Sequence, residues 1–322
     1  MTDHTTMRAI RQERFGDSSV LRLTEVPVPE SLPTEIRVRV HAAGVNPVDW
    51  KTREGRGMAA VLGAPPFGLG WDVSGVVDAV GFGVTTVVPG DEVYGMPWFP
   101  RAADAYAEYV TAPSRHFARK PTTIGHVEAA AVPLAALTAW QALVDTADVQ
   151  PGQRVLIHAA AGGVGHLAVQ IAVARGAYVI GTGSAGRAEF LHSLGADEFV
   201  DYRAVRFEEA VDEVDVVLDL VGEQDLTDLR SIQVLKPGGI HIGVPSGVRP
   251  EVAAAAAARG VRTTGILVEP DRAALASIAD LIDAGGLRVV VQQTFPLEQA
   301  AAAHDAGATA RTQGKIVLEV AA

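Results

Sequence analysis

The residues with the clearest chemical signature are glycines. Directly after the apolar run Arg154-Val-Leu-Ile-His158 the chain reads Ala159-Ala160-Ala161-Gly162-Gly163-Val164-Gly165, then continues at helical spacing from His166 to Ala174. A tight turn needs glycine at its first positions, close approach to a pyrophosphate needs a missing side chain, and helix-to-strand packing favours the last glycine. A strand before, a helix after and a second apolar run at Tyr178-Val-Ile-Gly-Thr182 supply the context that a glycine-rich turn lacks on its own. The pattern is that of a dinucleotide site.

The end of the second run bears on which dinucleotide. An NAD site places Asp or Glu there for the ribose hydroxyls, whereas this chain reads Gly181-Thr182-Gly183-Ser184-Ala-Gly-Arg187, with no carboxylate until Glu189. A 2′-phosphate fits better. Ser184 donates a hydrogen bond, Arg187 supplies charge, and Tyr202 and Arg203 stand beyond the next strand as further walls, which points to NADPH.

The elements that must position these residues fall into two kinds. Up to about residue 125 short alternating runs, such as Ile36-Arg-Val-Arg-Val40 and Val73 to Val80, are punctuated by Gly and Pro and read as a β-rich segment. After Pro121, Ala-rich helical runs alternate with compact apolar runs at Arg154–His158, Tyr178–Thr182 and Val214–Leu220, the pattern of parallel strands buried on both faces. With Ile240-His-Ile242 and a last strand over Val261 to Val268, the fold class is α/β with about six strands in doubly wound order. Strand signals resume from Leu287 and close with Lys315-Ile-Val-Leu-Glu-Val320, so the C-terminus is expected to return to the β-rich domain. The alanines Ala253 to Ala258 read as a helix face packed on the sheet.

Composition narrows the chemistry. The 322 residues carry 27 Lys+Arg against 38 Asp+Glu, a net charge of −11 that repels nucleic acid and anionic bilayers. A basic cluster at Arg37, Arg39, Lys51, Arg53 and Arg56 is the local exception. There are no cysteines, which removes disulfides, thiolate nucleophiles and thiolate-bound metals. The first six residues lack a secretory pattern, so the expected location is cytoplasmic. Val155 to Ala174 is uncharged and long enough to span a bilayer, but its glycines and histidines read as strand, turn and helix. His158 and His166 flank the glycine turn without a third ligand in view and read as packing residues, and Ser114, His116 and Asp104 lack the Gly-x-Ser-x-Gly elbow of a hydrolase.

Five stretches then carry a resemblance: Ala43-Gly44-Val45-Asn46-Pro47-Val48-Asp49, Gly70-Trp71-Asp72-Val73-Ser74-Gly75-Val76-Val77, Leu137-Thr138-Ala139-Trp140, Ala160 to Gly165, and Gly314-Lys315-Ile-Val-Leu318. In this order, over nearly the whole chain, they resemble the zinc-independent quinone oxidoreductase (zeta-crystallin-like) branch of the medium-chain dehydrogenase/reductase superfamily. The resemblance implies a GroES-like β-rich catalytic domain over 1–127 and 268–322 and a Rossmann NADPH-binding domain over 128–267. Where the superfamily's zinc alcohol dehydrogenases carry a cysteine and a Gly-His-Glu segment, this chain has Asn46 and Gly70-Trp71-Asp72. No metal is expected, and the implied reaction is hydride transfer from NADPH to a quinone or an α,β-unsaturated carbonyl.

The same resemblance places Asn46, Asp49 and Thr138 at the nicotinamide end. It places Gly162, Gly163, Val164 and Gly165 at the pyrophosphate, Ser184, Arg187 and Tyr202 around the 2′-phosphate, and Val221, Gly222, Gly243 and Val244 near ribose and nicotinamide, and it counts Ala160, Thr182 and Lys315 among the cofactor-binding residues, Lys315 as the family's Gly-Lys near the C-terminus. Several relatives carry a tyrosine in the loop after the Asn-Pro-x-Asp stretch; here Trp50 to Met58 has none, which leaves Lys51 as the proton donor to weigh. A homodimer is implied, and the strand at Val261 to Val268 either pairs across a two-fold axis or simply ends the sheet. An enone carbon-carbon double-bond reductase and a non-catalytic NADPH-binding protein are the alternatives.

Overall fold

The structure is a computed structural model, and it describes residues 5–245 and 247–321. The chain divides into two compact units, one of residues 1–137, 269–285 and 289–322, the other of residues 138–268 and 286–288. It first passes between them after Leu137, inside the helix Pro133–Trp140, where the sequence boundary stands at 127.

The first unit is built on the strand Glu35–Val45. Its first half alternates, with Ile36, Val38 and Val40 inward and Arg37 and Arg39 outward; its second half, Ala42 to Val45, is buried throughout. That change follows its neighbours. Tyr109–Pro113 pairs with residues 35–39 and the C-terminal strand Lys315–Glu319 with residues 42–45, while Asp72–Val80 runs along the other edge. Val291–Pro296, Glu92–Gly95 and Phe117–Arg119 complete the seven-stranded sheet. Arg22–Pro27, Thr6–Gln12 and Phe67–Gly68 form a second, three-stranded sheet.

Two registers matter for the site. Ile316 lies opposite Val45, which brings Lys315 beside Asn46, and Asp72 lies opposite Gly44. A Cβ on Gly44 would stand 2.8 Å from Asp72 Oδ2 and 2.4 Å from the Ala130 carbonyl, so only glycine leaves room for that carboxylate.

Helix Pro47–Arg53 follows at once, with Pro at its first position, Asp49 in its first turn and Lys51 and Arg53 in its last, an arrangement that suits the helix dipole. Helix Ala300–Ala308 packs on it because a Cβ at Gly307 would fall 2.7 Å from the Trp50 ring. This helix lies in the region read from sequence as strands only; its alanines favour a helix, and their low bulk hid the amphipathic period.

The second unit holds six parallel strands, Glu198–Asp201, Tyr178–Gly183, Arg154–Ile157, Val214–Asp219, Leu235–Gly243 and Arg262–Gly265, in spatial order third, second, first, fourth, fifth, sixth. This is the doubly wound Rossmann order, and its central strands are buried on both faces as the apolar runs require. The sixth strand is shorter than the run Val261 to Val268. In helix Pro250–Arg259 only Val252 and Ala256, one turn apart, are fully buried, so much of the alanine run faces water. Among the described residues no helix is long and apolar enough to cross a membrane.

Candidate active site

In the second unit, the chain leaves strand Arg154–Ile157 through Ala159, whose φ of +48° is left-handed, and enters helix Gly165–Ala174. A Cβ on Gly165 would stand 2.4 Å from the Ala159 carbonyl and 2.7 Å from Ala160, so the helix start approaches the strand as closely as only glycine allows. The amides of Gly163, Val164 and Gly165 have no acceptor among the described residues. They are the unpaired donors of a helix N-terminus, and a pyrophosphate is the ligand that cradle fits.

Thr182 is tied to this loop. Its carbonyl accepts from Ala160 N at 3.0 Å, and its hydroxyl lies 3.3 Å from Ala159 N and 3.2 Å from His158 Nδ1. His158 reaches the Ser231 hydroxyl at 3.0 Å with its other nitrogen, and burial pushes its pKa down to about 4. The histidine is a neutral strut under the loop. His166 Nδ1 sits 2.9 Å from the Gly162 carbonyl and belongs to the same support.

Ser184, Arg187 and Tyr202 come together around Gly183. Tyr202 N donates to the Gly183 carbonyl, Arg187 N to the Ser184 carbonyl, and a Cβ at Gly183 would lie 3.4 Å from Arg187 Cβ. The carboxylate in register with Gly183 is Asp201, and it accepts the Arg203 amide.

Val221, Gly222, Gly243 and Val244 are also assembled, by a residue the sequence reading passed over. Asp219 Oδ1 accepts from Val221 N and Gly222 N, both at 2.8 Å, and its carbonyl accepts from Val244 N at 3.0 Å. His241 Nε2 lies 3.4 Å from Asp219 Oδ2, and those hydrogen bonds hold the carboxyl below the usual range although burial opposes them. A carboxylate closing the apolar strand Val214–Asp219 was the available signal. Thr138 is buried on helix Pro133–Trp140.

The first unit holds a buried polar hub around Asn46. Asn46 Nδ2 donates to Asp72 Oδ2 at 2.8 Å, and Asn46 Oδ1 accepts from the Lys315 ammonium. Lys315 also donates to the Val45 carbonyl at 2.9 Å and lies 3.6 Å from Asp72 Oδ2. Asp72 Oδ1 accepts from Leu134 N at 2.7 Å. Burial pushes Asp72 up and Lys315 down, and each opposes the other's shift. The donors on both Asp72 oxygens select its ionised form. Lys315, counted by resemblance among the cofactor-binding residues, is thus built into this hub at 3% exposure.

Asp49 lies one turn along the helix. Its Oδ2 accepts the Asn46 backbone N–H at 2.7 Å and the Tyr106 hydroxyl at 2.8 Å, and burial raises its pKa to about 7. Tyr106 reaches Asp49 from a segment 57 residues away, outside the Trp50–Met58 loop. Lys51, on the same helix, is half-buried, and its ammonium has no hydrogen-bond or ion-pair partner among the described residues. Arg37 pairs with Asp78, and Arg53 and Arg56 both pair with Glu54, so carboxylates neutralise much of the basic cluster.

The Ser114, His116 and Asp104 group is not a triad. His116 accepts from Trp98 N, while Asp104 binds Arg11 and Gly68 N.

One unit with a six-stranded Rossmann sheet and a helix-end anion cradle, and another with a buried polar hub, define the class: an oxidoreductase that uses a nicotinamide cofactor. Two family descriptions match the chain, "Alcohol dehydrogenase GroES-like domain" over residues 32–122 and "Zinc-binding dehydrogenase" over 194–318. It is 32% identical to a quinone oxidoreductase of Sus scrofa, over 98% of this chain and 99% of that one. It is 33% identical to the chloroplastic NADPH-dependent alkenal/one oxidoreductase of Arabidopsis thaliana, over 97% of this chain and 79% of that one. The quinone oxidoreductase structure from Coxiella burnetii superposes with a TM-score of 0.91 at 37% identity, covering 98% of this chain and all of that one. The chain belongs to the quinone oxidoreductase-like group of the medium-chain dehydrogenase/reductase family.

The zinc in one family description finds no matching donor set here. The oxygen of Asn46 and Oδ2 of Asp72 face the Lys315 ammonium, there is no cysteine, and no cluster of three metal-ligating side chains occurs among the described residues.

Proposed function

We propose that this protein is an NADPH-dependent, zinc-independent reductase whose acceptor is a quinone or a related α,β-unsaturated carbonyl. The observation that carries the reading is the Asn46 amide, clamped with its oxygen on Lys315 and one Nδ2 hydrogen on Asp72. A cation on one side and an anion on the other fix which way the amide points, and its second Nδ2 hydrogen is left to bind an acceptor oxygen on which negative charge develops. The Lys315 ammonium stands beside Asn46 as an internal cation, so the hub needs no metal to balance Asp72.

Bound NADPH would supply the hydride. The amides of Gly163, Val164 and Gly165 would hold its pyrophosphate, Ser184, Arg187 and Tyr202 its 2′-phosphate, and the turns at Val221-Gly222 and Gly243-Val244 its ribose end. A quinone that accepts one hydride also takes one proton to give the hydroquinone, so turnover consumes one NADPH and one proton. The quinone and alkenal/one oxidoreductases among its relatives support this acceptor class. The exposed edge of strand Arg262–Gly265 supports a homodimer, read by sedimentation velocity.

The test is oxidation of NADPH, and in parallel NADH, with a panel of quinones and enones after dialysis against a chelator. Turnover with NADPH well above NADH, undiminished by the chelator and reduced at least tenfold in Asn46→Ala, is the expected result. Tight NADPH binding with no turnover on any acceptor overturns it in favour of a non-catalytic binding protein.

A further inference from the structure

A second set of buried groups reaches Asn46 through its backbone amide, whereas Lys315 meets its side chain. Arg53 Nη1 lies 3.3 Å from His304 Nδ1, His304 Nε2 lies 3.3 Å from the Tyr106 hydroxyl, and that hydroxyl donates to Asp49 Oδ2 at 2.8 Å. The direction of every bond follows from its first member. A guanidinium only donates, so His304 Nδ1 accepts and Nε2 carries the hydrogen; Tyr106 receives it and spends its own on Asp49. Burial and Arg53 push the His304 pKa down to about 3, which keeps the ring neutral and this tautomer in place. The outer end is anchored as well. Arg53 Nη2 binds Glu54 Oε1 at 2.7 Å, and its Nε binds the Gly16 carbonyl at 3.1 Å.

Asp49 has little else to orient it. Its Oδ1 is buried with no hydrogen-bond partner among the described residues, so the two donors on Oδ2, the Tyr106 hydroxyl and the Asn46 backbone amide, carry the whole orientation of the carboxyl. Loss of the tyrosine leaves the carboxyl hanging on the amide it is meant to fix. The other charged groups facing Asp49 are Asp72 and Lys315, both already paired through Asn46.

We propose that Tyr106 and His304 are positioning residues for the reaction, acting through Asp49 to hold Asn46 in the geometry that binds the acceptor. Their effect on turnover rests on the reductase reading above; their effect on Asn46 does not.

The test compares Tyr106→Phe, His304→Leu and His304→Gln. Glutamine keeps one acceptor and one donor at its tip, so it can bridge Arg53 and Tyr106, whereas leucine fills space without either. In Tyr106→Phe and His304→Leu, hydrogen exchange at the Asn46 backbone amide, read by NMR without substrate, is expected to quicken about tenfold. With NADPH and a quinone, kcat is expected to fall about tenfold with KM for NADPH unchanged, and the acidic limb of the pH profile to move up in Tyr106→Phe because a donor to ionised Asp49 is gone. His304→Gln is expected to stay within about twofold of wild type in both readouts.

Wild-type exchange at Asn46 in both disruptive variants overturns the proposal. So does a glutamine variant as impaired as the leucine one, since that outcome marks a packing role. If the wild-type protein reduces no acceptor, the reductase reading fails and the exchange measurement still decides the positioning claim.

Discussion

The Lys315 ammonium lies 3.6 Å from Asp72 Oδ2, with 3% and 0% of the two side chains exposed. Between them the Asn46 amide touches both, and Val45 O and Leu134 N complete the set of partners. Taking two charges out of water costs several kcal/mol each, and their attraction offsets that only when the remaining donors and acceptors are met, as they are here.

The pair can therefore be tested by breaking it one member at a time. Lys315→Met leaves a buried carboxylate without its cation and is expected to cost about 3–5 kcal/mol in urea unfolding, as is Asp72→Leu. The double variant is expected to cost clearly less than the sum of the two. Additive losses would mean that the ammonium and carboxylate do not interact.

The glycine cradle makes a separate prediction. Because a Cβ at Gly165 would meet the Ala159 carbonyl at 2.4 Å, Gly165→Ala must push the helix start away from the strand. Destabilisation of about 1–3 kcal/mol is expected, together with loss of NADPH binding in a fluorescence titration.

Cofactor choice is expected to rest on Arg187 and Ser184, which sit with Tyr202 around Gly183. Arg187→Ala removes the charge proposed to meet the 2′-phosphate, so kcat/KM for NADPH is expected to fall about ten- to a hundredfold while that for NADH holds steady. Equal losses with both cofactors would assign Arg187 a structural role instead.

What the sequence revealed of this site followed the range of the interactions. Gly162 to Gly165, the strand before and the helix after lie within one short segment, and their order alone specifies the turn. The hub does not work that way. Lys315 and Asn46 are 269 residues apart, and only the register of Ile316 against Val45 puts them side by side. Tyr106 reaches Asp49 from a segment whose neighbour Ala107 bridges to Ala9, far in sequence from the helix that carries Asp49. His304 was hidden for another reason: its helix is so rich in alanine that hydrophobic periodicity had almost nothing to register.

Two buried groups set opposite trends of stability with pH, and the signs separate them. His158 is held at about 4 against 6.5 when free, so the unfolded chain binds the proton first; its contribution is full above pH 6.5 and is lost as pH falls through about 4. Asp49 is raised from 3.8 to about 7; its contribution is full below pH 3.8 and is lost as pH rises through about 7. At about 1.4 kcal/mol per unit, the two are worth on the order of 3 and 4 kcal/mol. Urea unfolding between pH 4 and 8 reads both. Relative to wild type, His158→Gln is expected to lose ground as pH rises from 4 to 6.5, and Asp49→Asn to gain ground from 4 to 7. Curves that run parallel to wild type in either variant would show that the group does not titrate across that window, and for Asp49 would remove the ionisable cap on which the positioning of Asn46 depends.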